Sequence, residues 1–224
     1  MVANGPAAAV GGSPGPRIAV VGAYGSGKTT LAAALSRRLG LPTAAQRPMD
    51  HPAGDPDRAV EDWTPGQLIQ LSVRRYADRV GAEGALGGGF VSDGSALHEW
   101  TYMKTRLVAG THPERDDPLE AWPRSPSVAV YEEVADELGL LAFDHAAHAY
   151  DLLVHVPVEF PLAPENRPVN DEFRRISDRL LIPALGRLGL PVLTASGPLD
   201  RRVHLVAAAL HPAGAGISQP TPTV

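Results

Sequence analysis

The sequence predicts an α/β fold in three layers, a parallel sheet with helices on both faces. Three observations predict it. An apolar strand runs straight into a glycine-rich loop and then a helix near the start of the chain. After that, apolar β-branched runs alternate with helical patterns, which implies right-handed crossovers and a parallel sheet. Finally, 224 residues that are 44% hydrophobic suffice for one ordinary core in one domain.

The elements follow in order. Arg17-Ile18-Ala19-Val20-Val21 reads as a buried strand, and Leu31 to Leu39 as a helix that Gly40 can end. Leu41 to Gln46 is a short second strand, and Arg47 to Trp63 a polar, proline-rich loop. Thr64-Pro65-Gly66-Gln67 is a capping box with proline at the first helical position, opening a helix to about Val80. Gly87 to Asp93 is a strand ending in an acid, and Ser95 caps a helix from Ala96 to about Val108. A polar segment, Gly110 to Ser125, precedes a helix from about Val128 to Ala149. The fourth strand is Tyr150 to Pro157, followed by a proline-rich loop to Val169. Asn170 or Asp171 caps a helix from Glu172 to Leu188; Pro191 to Ala195 is the last strand and Asp200 to Leu210 the last helix. The domain therefore spans 17–210, with disordered tails expected at 1–16 and 211–224.

Gly22-Ala23-Tyr24-Gly25-Ser26-Gly27-Lys28-Thr29 matches the phosphate-loop pattern G-x-x-x-x-G-K-[ST] at every fixed position, in the strand–loop–helix context it requires. Glycines let successive backbone N–H groups point inward, and with the positive helix end they cradle phosphate oxygens. Residues Gly22 through Thr29, with Thr30 beside them, are the nucleotide-binding candidates. Lys28 can reach the β- and γ-phosphates, and the Thr29 hydroxyl can ligate magnesium. A plain glycine turn would not need the lysine and the threonine. The chain is expected to bind Mg2+ and ATP.

Outside the loop, Asp93 carries the most information. It ends an apolar strand, and open parallel sheets bind ligands beyond the carboxyl ends of their strands. Its carboxylate can orient metal-bound water or take a proton from an attacking hydroxyl, so it is a candidate both for catalysis and for the metal. The bland reading is a turn aspartate in Asp-Gly. Asp151 is a weaker candidate because it starts its strand. Arg167, Arg174 and Arg175 flank the loop-to-helix junction after the fourth strand. Arginines there could close over the phosphates and offset developing charge, so Arg167 and Arg174 join Lys28 and Asp93 as catalytic candidates. The competing reading is a solvated face in a chain where all but two of the twenty basic residues are arginines. His145 and His148 lack a third ligand, and His98-Glu99 lacks the second histidine of a zinc-protease motif. Trp100 and Tyr102 read first as core, with an acceptor pocket as the other use.

Composition excludes several classes. With no cysteine there are no disulfides or thiolate metal sites. A net charge of −5 argues against a nucleic-acid surface. No apolar run approaches the roughly 20 residues of a membrane span. No Asn-Lys-x-Asp segment is present to read guanine. A cytoplasmic protein without nucleic-acid or membrane partners is the expectation.

The order of these pieces resembles the kinase-like P-loop ATPases grouped with the ribosylnicotinamide kinase domain of bacterial NAD regulators. More distantly it is similar to thymidylate and deoxynucleoside kinases. The resemblance spans about Arg17 to Leu210. It rests on the phosphate loop, on Phe90-Val91-Ser92-Asp93-Gly94-Ser95 with its aromatic-bearing helix, and on Tyr150-Asp151-Leu152-Leu153-Val154. Arg167 to Arg174 resembles that group's lid, and Gly197 with Arg201 or Arg202 its base-side loop. Where many relatives follow the strand-end acid with arginine, this chain has Gly94, so the acceptor's identity does not carry over. The resemblance implies a P-loop NTPase with a five-stranded parallel sheet, adenine nucleotide as donor and a small acceptor near the Arg47–Trp63 loop. The leading expectation is thus a kinase moving the γ-phosphate of Mg-ATP to a small hydroxyl-bearing acceptor, nucleoside-like molecules among the candidates. The alternative is a regulatory P-loop ATPase or nucleotide-dependent switch with no small acceptor.

Overall fold

The computed structural model describes residues 15–44, 59–162 and 168–210. Five parallel strands form one sheet in the order β2-β3-β1-β4-β5. They are β1 (Arg17–Val21), β2 (Thr43–Ala44), β3 (Phe90–Asp93), β4 (Leu152–His155) and β5 (Val192–Thr194). Among the described residues six α-helices accompany them, the last following β5: α1 (Lys28–Leu39), α2 (Pro65–Gly84), α3 (Ala96–Ala109), α4 (Pro126–Ala149), α5 (Asp171–Arg187) and α6 (Leu199–Leu210).

Both faces of the sheet are buried, and the period of two along β1 shows how. Ile18 and Val20 join Leu31, Leu35 and Val206 on the side covered by α1 and α6. Ala19 and Val21 join Leu97, Ala146, Leu181 and Leu185 beneath α3, α4 and α5. A strand covered on both sides carries apolar residues without alternation, which is why β1 reads as a continuous apolar run. A separate cluster, Trp63, Leu68, Leu71, Met103, Leu107 and Ala135, joins α2 to α3 and α4.

The caps form as the sequence requires. Thr64 and Gln67 make the capping box, and Asn170, rather than Asp171, accepts from the Phe173 amide at 3.0 Å. Gly40 ends α1 with φ 66°, a left-handed conformation that favours glycine. Differences lie at element ends. The first helix begins at Lys28, three residues before its apolar pattern, because the phosphate loop feeds it directly. Helix α2 continues to Gly84 because Arg79 and Glu83 are buried in its last two turns. Strands β3 and β4 are shorter than their apolar runs; beside β4, Tyr150 and Val156 are buried outside the strand, Val156 still donating its amide to the Val21 carbonyl at 2.8 Å. The expected tails and most of the Arg47–Trp63 loop lie outside the described residues.

Register sets the site. Val20 of β1 stands opposite Asp93 of β3, and Val21 opposite His155 of β4. The phosphate loop therefore leaves the sheet between the carboxyl ends of two neighbouring strands, where a strand order of this kind opens a crevice.

Candidate active site

Three glycines shape the loop. Gly22, Gly25 and Gly27 have φ values of 144°, 66° and 98°. A Cβ at Gly22 would lie 2.4 Å from the Val156 carbonyl oxygen, so any side chain there would force the loop off β4. The first turn of α1 holds no acidic residue, leaving its positive end uncompensated for an anion. The buried Ser26 hydroxyl has no hydrogen-bond partner among the described residues. Lys28 arches back to donate to the Ala23 carbonyl at 2.7 Å.

Burial pulls the Lys28 ammonium down to about 8, against the upward pull of Asp93 and Asp178. Below pH 8 it is charged folded or unfolded, and the folded state carries the full desolvation cost. Between about 8 and the ordinary 10.5 the unfolded chain holds a proton that the folded one lacks, so stability rises with pH there. Without nucleotide, Lys28→Met is expected to melt a few degrees above the parent at pH 7, the difference closing as pH passes 10. Equal melting temperatures at pH 7 and 10 in a thermal-shift titration would contradict this.

The Thr29 hydroxyl donates to Asp93 Oδ2 at 2.6 Å. This hydroxyl and carboxylate are hard oxygen donors beside the anion cradle. No group of three or more His, Cys, Asp or Glu residues suited to a metal occurs among the described residues. A magnesium ion carried by nucleotide phosphates needs only one or two protein oxygens, so Thr29 and Asp93 fit it.

Gly94, with φ 104°, gives up its side chain to a neighbour. A Cβ there would sit 2.9 Å from a terminal nitrogen of Arg79. The Arg79 guanidinium reaches across from α2 to Ser92 Oγ at 2.9 Å, and to the Asp93 carbonyl and Glu99 Oε1, both at 3.4 Å. A guanidinium from α2 thus lies beside Gly94.

His98 braces the loop from below. Its Nδ1 accepts from the Ser95 amide at 3.0 Å, and its Nε2 lies 2.9 Å from the Gly22 carbonyl and 3.2 Å from the Gly22 amide. Burial, with the charges of Lys28 and Arg79, holds its pKa well below the ordinary value, so the ring is neutral. The Tyr102 hydroxyl donates to the same carbonyl at 3.3 Å. Burial raises the Tyr102 pKa, which keeps this donor protonated.

Two spaces open on either side of the loop. One, of about 490 Å³, is lined by Gly27, Thr30, Glu159, Phe160 and Gly197 among others. Arg202 organises it, with Nε donating to the Gly197 carbonyl at 2.6 Å and a terminal nitrogen to Glu159 at 2.8 Å. The Gly197 amide donates to Glu159 at 2.8 Å. Of Arg201 and Arg202, it is Arg202 that lines this space, and Arg201 is exposed. The other space, of about 160 Å³, is lined by Lys28, Thr29, Asp93 and Glu99, with Tyr24 and Tyr102.

Arg174 is fully buried, not poised on an open segment. It donates to Asp171 at 2.6 Å and to the Phe160 carbonyl at 3.0 Å, while Nε and one terminal nitrogen are without partners among the described residues. Its charge reaches Lys28, whose pKa it lowers. Arg174→Ala is expected to cut the turnover number at least about tenfold while changing Mg-ATP affinity less, if those nitrogens meet charge developing in transfer. A lowered melting temperature with unchanged turnover would make Arg174 a fold element only. Arg167 lies outside the described residues.

Other candidates fall away from the site. Asp151 is bound by Arg17 at 2.7 Å, at the amino ends of β1 and β4, and so lies at the opposite edge of the sheet from the loop. Arg175 is exposed and paired with Asp116 and Glu172, both at 2.7 Å. His145 holds Glu83 at 2.7 Å, while His148 is exposed beside Asp144. Trp100 packs on Phe143 and Gly139. Sequence reasoning missed Arg75, Arg79, His98 and Glu99 as parts of the site. A signal was present in the polar spacing of α2 and α3, but an arginine-rich composition hid it.

A family model described as an AAA domain matches residues 17–202. The chain belongs to that family. No curated protein matches the sequence. Among solved structures, deoxyadenosine kinase from M. mycoides with bound dATP is similar at a TM-score of 0.58 and 11% identity, covering 88% of this chain and 100% of that one. NadR protein in complex with NAD and AMP-PNP gives 0.52 and 17% identity over 92% of this chain, which spans 51% of NadR. NadR in complex with NR gives 0.51 and 16%, with 92% and 54% covered. This AAA-domain chain thus has the kinase-like P-loop fold. No helix among the described residues is long and apolar enough to cross a membrane.

Proposed function

We propose that this protein transfers the γ-phosphate of Mg-ATP to a hydroxyl of a small acceptor. The observation that supports it best is the pair of spaces flanking one phosphate loop, with Lys28, Thr29 and Asp93 facing the smaller one. A nucleotide seated on the loop has its base in the space organised by Arg202 and its γ-phosphate toward Asp93. Kinase-fold structures with bound dATP and AMP-PNP agree with an adenine nucleotide.

In the transfer, the acceptor oxygen attacks the γ-phosphorus as the bond to the β,γ-bridging oxygen breaks. The hydroxyl proton leaves toward Asp93, and ADP departs. Lys28 offsets charge on the transferring group, and the loop N–H groups hold the β-phosphate. The Thr29 hydroxyl, with the Asp93 carboxylate close to it, would hold magnesium, which would offset phosphate charge there. Neutral His98 and Tyr102 keep the Gly22 carbonyl fixed, so the loop stays in register with Asp93.

The 2.6 Å contact between Thr29 and Asp93 favours a second reading, in which Asp93 serves the metal alone and the protein is a nucleotide-dependent switch. A screen of nucleosides and other hydroxyl-bearing metabolites for acceptor-dependent ADP release separates the two. The kinase reading expects at least one acceptor to raise ADP release well above the basal rate. ADP release indifferent to every acceptor would favour the switch.

A further inference from the structure

A second cavity, of about 280 Å³, shares Tyr24, Arg75, Glu99 and Tyr102 with the space at Lys28 and Asp93 and reaches Arg106. Its charges do not balance. Glu99 is its only acid among the described residues, and Arg75 already takes it at 2.8 Å and Arg79 at 3.4 Å. Glu83, the other acid near Arg79, is engaged by Tyr150, Ser92 and His145.

Arg106 is the cation left over. It lies over the Phe173 ring at 5.4 Å, and its buried Nε has no hydrogen-bond partner among the described residues. Glu99 and, after it, Glu61 act on it from a distance, but Glu99 is held by Arg75 at 2.8 Å and Glu61 lies 3.2 Å from His112. Burial pulls the Arg106 pKa down to about 10, the mark of a cation short of counter-charge. Burying such a group is costly unless an anion joins it.

We infer that the acceptor carries an oxyanionic group, a phosphate monoester or a carboxylate, which Arg106 and Arg75 bind while the reacting hydroxyl faces Asp93. The inference rests on the kinase reading and deepens it. A planar guanidinium suits either oxyanion because it can donate two parallel N–H bonds. Tyr24 and Tyr102 line the passage between the two ends, placing aromatic surface beside the body of the acceptor. A neutral acceptor would leave Arg106 unmatched, and a cationic one would be repelled by both arginines.

The test compares three matched sets in the ADP-release assay: nucleosides, their 5′-monophosphates, and small hydroxy carboxylic acids. The second and third sets tell phosphate from carboxylate. Binding of each probe is measured separately by calorimetry with a non-hydrolysable ATP analogue present. An oxyanionic set should give KM values at least tenfold below the neutral set. Arg106→Gln should raise that KM at least tenfold with a smaller change in kcat, and Arg106→Lys should recover part of it. Circular dichroism establishes that both variants fold. Neutral nucleosides used as well as their monophosphates, with KM indifferent to Arg106→Gln, would overturn the anion site and leave the kinase standing. Oxyanions that bind through Arg106 without any turnover would retain the site and remove the kinase. Neither binding nor turnover with any set, while Mg-ATP still binds, would overturn both.

Discussion

Lys28→Ala is expected to lose at least about 10²–10³-fold in nucleotide turnover, the size of effect seen when a preorganised charge is withdrawn from a transition state. The ammonium is aimed at the anion cradle, and its one hydrogen bond, to the Ala23 carbonyl, is local. Burial holds it near pKa 8, so it costs the empty fold stability and is repaid only when phosphate arrives. Loss of activity should therefore come without loss of folding, which separates this substitution from an ordinary core defect. Thr29→Ala should act differently, weakening Mg-ATP binding more than metal-free ATP binding. Steady-state ADP release and a melting curve on the same preparation suffice. Parental turnover in folded Lys28→Ala would remove the nucleotide site from this loop.

Asp93→Asn carries the second large effect. It preserves size and much of the hydrogen bonding to Thr29, but removes the negative charge. If Asp93 takes the acceptor proton, transfer should fall by about 10²–10⁴-fold, the range for a lost acid–base contribution, while Mg-ATP affinity changes far less. If it serves only the metal, affinity for Mg-ATP falls and affinity for metal-free ATP does not. Measuring both affinities alongside acceptor-dependent ADP release assigns the role. Lost metal-dependent binding in a protein that no acceptor stimulates would move the assignment to a switch.

The phosphate loop, Asp93 and the five strands were legible because each is local. The glycines and the Lys28-Thr29 pair lie within eight residues, and Asp93 announces itself by ending an apolar run. The rest is set by packing between distant segments. Arg79 reaches the Asp93 carbonyl across fourteen positions of chain, and His98 meets Gly22 across seventy-six. Neither pairing leaves a periodic trace. His98-Glu99 was legible only as an incomplete metal motif, although one side chain holds the loop and the other ties two arginines. Asp151 shows the converse, a strand-associated acid whose chemistry is satisfied by Arg17 at the wrong end of the sheet. Between Arg174 and Arg175, sequence position could not tell a buried guanidinium from a surface one, since the 100° step per residue places neighbours on different helix faces.

The central claim is transfer of phosphate to a small molecule rather than to water. Incubating the protein with magnesium and γ-phosphate-labelled ATP, with and without the acceptors that stimulate ADP release, tests it directly. The proposed function predicts label on an organic acceptor in step with ADP formed, and its loss in Asp93→Asn. Label recovered only as inorganic phosphate, at a rate no acceptor changes, would contradict it.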